Sequence, residues 1–228
     1  VVFAGQGSLG VGAARVLCEA FPVFAEAFEG VVAGVGACVD WSLREVVFGG
    51  DAGVLGRTEF AQPALFAFEV ALFALLESWG VVPDVVMGHS LGEVTAAYVA
   101  GVLGLRDACR VVVGRGRLMQ ALEPGVMVAL PVGVEEVVPL LVGGAVSVAA
   151  VNGPSSVVIS GPEVEVVAVA GRFGRFRRLE VERAFHSVLV EPALGGFRAL
   201  LESVELRAPT RVVVSAVTGE VAGSGLMS

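Results

Sequence analysis

The sequence predicts an α/β fold of two subdomains, a large one built on a parallel sheet and a smaller one inserted into it. Three observations carry this expectation. A short apolar run, Val85-Val86-Met87, bounded by Pro83 and Asp84, leads through Gly88-His89-Ser90-Leu91-Gly92 into a segment with Val94, Ala97, Tyr98 and Gly101 at helical spacing. That is strand, tight turn and helix in order, the α/β-hydrolase-like context of a nucleophile elbow. From Val126 the pattern becomes β-α-β-β-α-β, a ferredoxin-like unit. Helix and strand signals of the large body resume from Glu191, so the unit reads as an insertion. The expected boundaries are 1–124 with 187–228 for the large subdomain and 125–186 for the small one.

Taken in order, Val1 to Ala4 reads as a short buried strand running into the glycine-rich turn Gly5-Gln6-Gly7-Ser8. A helix is expected around Val11 to Phe21, and further helices over Phe24 to Val32 and Leu43 to Phe48, with Gly49-Gly50-Asp51 as a break. Gln62-Pro63 is expected to start a long amphipathic helix, Ala64 to Trp79, with Leu65, Phe68, Leu72, Leu75 and Leu76 as its core stripe. After the Ser90 helix, Asp107 to Leu122 is helical and carries Arg110, Arg115 and Arg117. In the small unit the strands are Val126 to Leu130, Val146 to Val151, Val157 to Ser160 and Phe176 to Val181, with helices over Val134 to Leu141 and Glu163 to Phe173. The tail gives a helix near Leu194 to Leu201, a strand over Arg211 to Ser215, and a Gly/Ser-rich end without an element.

Composition narrows the function. Of 228 residues 55% are hydrophobic and 17% charged, and mean hydropathy is +0.82, which supports a large core and argues against disorder. A formal charge of −8 disfavours nucleic acid and anionic membrane surfaces as partners. All fifteen basic residues are Arg, so catalytic lysine chemistry is excluded. Three cysteines, Cys18, Cys38 and Cys109, lack metal-ligand spacing and leave an odd count, which fits a reduced, cytoplasmic setting. The most membrane-like stretch, Val137 to Pro162, is broken by Pro139, Gly143-Gly144 and Asn152-Gly153-Pro154 into strand-sized pieces. The chain begins inside an apparent strand and not on Met, as a piece of a larger polypeptide would.

The chemistry centres on Ser90. In an elbow the flanking glycines let backbone approach closely, and the Leu91 amide at the helix N-terminus faces a developing oxyanion. The turn at Gly5 to Ser8 is either an ordinary loop or one whose amides face the same site; no Lys-Ser/Thr follows it to make a phosphate loop. Of the two histidines, His89 adjoins Ser90, where successive side chains diverge, which leaves His186 as the base. No Asp occurs beyond Asp107, and Glu163, Glu165, Glu180 and Glu182 fall in the insertion, so a Ser-His dyad is expected over a full triad. Arg115 and Arg117, two apart on a helix, cannot share a face, and at most one points into a pocket. A serine hydrolase or thioesterase shares the elbow and would carry a downstream acid; an inactive domain is the third possibility.

Several motifs in order give the chain a resemblance: FAGQGS at Phe3 to Ser8, RTEFAQPALFAFEVAL at Arg57 to Leu72, GHSLGE at Gly88 to Glu93, RGRLMQ at Arg115 to Gln120, VNGPSSVVISG at Val151 to Gly161 and AFHS at Ala184 to Ser187. They resemble the malonyl-CoA:acyl-carrier-protein transacylase family, and within it the acyltransferase domains of modular type I polyketide synthases. The resemblance implies that Ser90 forms the acyl ester, that His186 is the general base, and that the Gln6 and Leu91 amides form the oxyanion hole. It implies that Arg115 clamps the free carboxylate of a malonyl group, a task suited to a planar guanidinium. No permanently bound cofactor is implied: malonyl-CoA is the substrate, and the phosphopantetheine of an acyl carrier protein is the acceptor. A ketosynthase and linker are implied in the same polypeptide, in a multifunctional enzyme of the kind that makes antibiotics. Leu91, Ala184 and Phe185 resemble the malonyl-selective form. Ala4, Leu9 and Arg183 depart from the usual Pro, Gln and His. Similar domains continue past Ser228 with a Tyr-Trp-containing segment and a final helix, so the C-terminal part of the large subdomain is expected to lie beyond this chain.

Overall fold

The computed structural model describes residues 1–222. It divides into two compact units, Val1–Arg117 with Ala199–Ser228, and Leu118–Arg198. The Gly/Ser-rich end expected to lack an element lies, from residue 223, outside the described residues. The elements in chain order are β1 (Val2–Phe3), α1 (Ala13–Ala20), α2 (Pro22–Gly36), α3 (Leu43–Phe48), α4 (Ala52–Gly56), α5 (Thr58–Ser78), β2 (Val85–Gly88), α6 (Gly92–Val99) and α7 (Leu105–Gln120). There follow β3 (Val126–Leu130), α8 (Val134–Val137), β4 (Ser147–Gly153), β5 (Ser156–Gly161), α9 (Glu163–Ala170), β6 (Arg177–Arg178), α10 (Glu191–Glu202) and β7 (Val212–Val214).

The first unit is a three-stranded parallel sheet, order β1-β2-β7, wrapped by helices. Local chemistry sets the helix starts. Pro22 opens α2 at a position where its missing N–H costs nothing. The Ser42 hydroxyl accepts the Glu45 amide at the start of α3, and Asp51 caps α4, a short helix not anticipated after the Gly49-Gly50 break. The core joins Phe24, Phe28, Val31 and Val35 of α2 to Leu65, Phe66, Val70 and Leu75 of α5, each such burial contributing roughly 1.5–3 kcal/mol.

Helix α5 corrects two expectations. It starts at Thr58, so Pro63 lies inside it, and it is buried nearly all round rather than along one stripe. Thr58, Ala61 and Gln62 are themselves buried, so packing holds the turn before the proline at the expense of one backbone hydrogen bond. Among the described residues α5 is the one helix long and apolar enough to cross a membrane; most of it is instead buried inside this unit.

The second unit is a four-stranded antiparallel sheet, order β4-β5-β3-β6, with α8 and α9, the ferredoxin-like arrangement expected. Helices α8 and α9 each finish in a 3₁₀ turn, over Val138–Leu140 and Gly171–Phe173. Edge strand β6 is only two residues long, not the six of Phe176 to Val181. Its two residues, Arg177 and Arg178, and the nearby Arg175 are exposed, and a short charged strand blunts a sheet edge. The unit runs wider than 125–186 because the last turn of α7 and most of α10 pack within it. Met119, Leu122, Met127, Val158, Phe185 and Ala193 form one buried cluster there.

Candidate active site

The site starts at the carboxyl edge of the parallel sheet. Central strand β2 ends at Gly88, and Ser90 follows with φ 54°. Among the described residues Ser90 and His186 (φ 59°) are the two non-glycine residues in the left-handed region, a conformation that persists only where surrounding packing imposes it. The packing around Ser90 is visible in its glycines. A Cβ on Gly88 would lie 1.9 Å from the Gly92 carbonyl carbon, and one on Gly92 would lie 2.4 Å from the Phe3 carbonyl oxygen. Only glycine at both places lets α6 begin directly against β1 and β2.

The turn after β1 leaves the same sheet edge. The His89 amide donates to the Phe3 carbonyl at 2.8 Å, which ties the two loops together where they emerge. Leu91 caps α6, and the first bonds of the helix run from Gly92, Glu93 and Val94 back to His89, Ser90 and Leu91. The Leu91 amide thus stands at the positive end of the helix, while its side chain is fully buried in the core. The Gln6 side chain donates to the Thr58 hydroxyl at 3.4 Å, and its Oε1 is buried without a protein partner. His89 is exposed.

Arg115 of α7 reaches Ser90: its Nη2 donates to Ser90 Oγ at 3.1 Å. Burial pulls its pKa down to about 10, with the more distant Glu93 opposing, so the guanidinium keeps its charge at neutral pH. Among the described residues no carboxylate pairs with it at salt-bridge distance. Arg117 is exposed and lines a different cavity of about 740 Å³ with Gly34, Cys38, Arg110 and Leu200. The two arginines therefore separate as their spacing requires.

His186, Ala184 and Phe185 belong to the second unit. The buried Ser187 hydroxyl donates to the Ala184 carbonyl at 2.7 Å and accepts the Leu189 amide at 3.2 Å, closing the turn on which exposed His186 sits. Arg183 donates through Nε and Nη2 to the Gln120 carbonyl at the end of α7, at 3.3 and 3.0 Å. A cation at a helix C-terminus is favourable. Phe185 is 6% exposed and packs with Met119, Leu122 and Met127, so this residue of the malonyl-selective resemblance is also a core side chain of its unit.

Sequence reasoning passed over Glu69. It lies on α5 and is 7% exposed, and its carboxyl is pushed up to about 7 by burial, with bonds from Thr95 and Ala4 opposing. The available signal was a carboxylate between Phe68 and Val70 in an apolar run, since a buried charge needs partners.

A serine raised on such a turn, with a cation at its hydroxyl, has the strand–turn–helix geometry of a nucleophile elbow. Residues 1–224 match the model of the acyl transferase domain family, and the chain belongs to that family. It is 56% identical to polyketide synthase GfsA of Streptomyces halstedii over all of this chain and 3% of that protein. It superposes on the acyltransferase domain from the second module of the salinomycin polyketide synthase with a TM-score of 0.93 and 51% identity, covering 98% of this chain and 54% of that one. It also resembles a malonyl-transacylase solved in complex with a type II polyketide synthase acyl-carrier protein, with a TM-score of 0.87 and 32% identity over 98% of this chain and 75% of that one. The chain thus spans a small part of the synthase it matches and about half of the salinomycin domain.

Proposed function

We propose that this domain loads a malonyl unit from malonyl-CoA onto Ser90 and passes it to the phosphopantetheine thiol of an acyl carrier protein during polyketide assembly. The observation that carries the reading is Arg115, a charged guanidinium at 3.1 Å from Ser90 Oγ with no carboxylate of its own at salt-bridge distance among the described residues. A half-buried cation without a carboxylate partner is costly, and a diacid substrate would neutralise it with its free carboxylate while the thioester lies over the serine. Acetyl groups offer no such charge.

In this reading His186 takes the Ser90 proton as Oγ attacks the thioester carbonyl, and the Gln6 and Leu91 amides receive the oxyanion. Collapse of the tetrahedral intermediate breaks the C–S bond, and the coenzyme A sulfur leaves with the proton from His186. The second half-reaction runs the same steps backwards, with the carrier-protein thiol as nucleophile. The expected setting is a cytoplasmic multifunctional synthase with a ketosynthase and linker in the same polypeptide. The proposal is tested by competition between equal malonyl-CoA, methylmalonyl-CoA and acetyl-CoA, read as the ratio of acyl adducts. Malonyl should dominate; a preference for either of the others would refute it.

Selectivity against methylmalonyl is assigned to Leu91, Ala184 and Phe185. One methyl group is worth roughly 1–3 kcal/mol, or about 10–200-fold. Phe185→Ser is expected to narrow that preference. Because Phe185 is also a core residue, the variant should lose roughly 3–5 kcal/mol of stability as well. The adduct ratio does not depend on the amount of folded protein, so an unchanged ratio would remove Phe185 from the selectivity set.

A further inference from the structure

We infer that Glu69 is a positioning residue for acyl transfer, its one carboxyl fixing the Gln6 loop and the Ser90 helix in register with each other. This rests on the reading of Ser90 as acyl acceptor with the Gln6 and Leu91 amides as oxyanion donors. Glu69 Oε1 accepts the Ala4 amide at 2.6 Å, and Oε2 accepts the Thr95 hydroxyl at 2.7 Å. Ala4 is the first residue after β1, two before Gln6. Thr95 is fully buried on α6, within the first turns of the helix that Leu91 caps. The Ala4 amide lies just beyond the parallel ladder, whose last β1–β2 pair is Phe3 with Gly88. Glu69 supplies the acceptor that such an amide requires.

The consequence is geometric. An oxyanion hole made from two separate loops works only if both amides point at one position within a few tenths of an ångström. On one side, the absence of a Cβ at Gly92, which would lie 2.4 Å from the Phe3 carbonyl oxygen and 2.7 Å from that of Ala4, lets the loop and the helix approach closely. On the other, the Glu69 carboxyl sets how the loop is rotated, because its two oxygens are held in one rigid plane. Its carboxyl, pushed up to about 7 by burial, can serve in either protonation state. When protonated, it donates to the Thr95 oxygen and still accepts from Ala4. Glutamine can do the same, with Oε1 on the Ala4 amide and Nε2 donating to Thr95, whereas leucine fills the space and can do neither.

The test is the single-turnover rate of Ser90 acylation by malonyl-CoA in the full chain, with circular dichroism to confirm folding. Glu69→Leu is expected to slow acylation at saturating malonyl-CoA by about 100-fold, with the half-saturating concentration unchanged within about twofold. Glu69→Gln should recover to within about threefold of the wild type. Thr95→Val, nearly isosteric, should lose about tenfold and decides the matter if Glu69→Leu does not fold. A folded Glu69→Leu or Thr95→Val chain acylating at the wild-type rate overturns the inference, as does Glu69→Gln no faster than Glu69→Leu, or a loss that falls on the half-saturating concentration. Absence of any Ser90 adduct in the wild type would instead overturn the acyl-transfer reading, and this inference with it.

Discussion

Arg115→Ala is expected to cost malonyl loading roughly 30- to 5,000-fold, equivalent to about 2–5 kcal/mol for a carboxylate left without its buried partner. Acetyl loading should fall far less, by no more than about tenfold, through loss of the hydrogen bond from Arg115 to Ser90 Oγ. The effect should therefore appear as a collapse of the malonyl-to-acetyl ratio. Arg117→Ala provides the comparison: its side chain is exposed and lines another cavity, and both acyl groups should load within about twofold of the wild type. The measurement is initial acylation rate with each thioester in separate reactions. Equal losses for the two would make Arg115 a structural support of the elbow and nothing more.

His186→Ala is expected to slow acylation by about 10²–10⁴-fold, the usual range for a general base, while leaving the fold intact. Folding should tolerate the change because His186 is exposed and the turn beneath it is closed by Ser187. The left-handed φ of 59° at this position is strained for alanine as it is for histidine, so the backbone cost is similar in both. Small imidazole supplied in solution should restore part of the lost rate. Acylation at the wild-type rate in His186→Ala would eliminate the dyad, and His89→Ala would then be the next variant to measure.

Strand, turn and helix around Ser90 were legible because period and punctuation agree there: an apolar run, two glycines, then helical spacing. The β-α-β-β-α-β order of the second unit was legible for the same reason, down to β3 at Val126–Leu130. What was not legible is what tertiary packing decides. Pro63 signals a helix start, yet burial of Thr58, Ala61 and Gln62 extends α5 through it. Apolar periodicity in Phe176 to Val181 signals a full strand, yet exposed arginines at the sheet edge leave two residues paired. The spacing of Arg115 and Arg117 separated their directions without ranking them; the hydrogen bond to Ser90 ranks them. Glu69 escaped because a carboxylate inside an apolar helix reads as a solvated face until its two partners, 65 and 26 positions away, are brought to it.

That an acyl group passes through Ser90 is tested most directly by intact-protein mass measurement after brief incubation with malonyl-CoA. The wild-type chain should gain the mass of one malonyl group, released on adding holo carrier protein, and Ser90→Ala should gain none. The free cysteines are poor substitutes as acceptors; Cys109 is buried and its thiol is pushed up to about 12. An adduct that persists in Ser90→Ala and maps to Ser8 or to a cysteine would contradict the assignment of the elbow, as would a wild-type chain that remains unmodified.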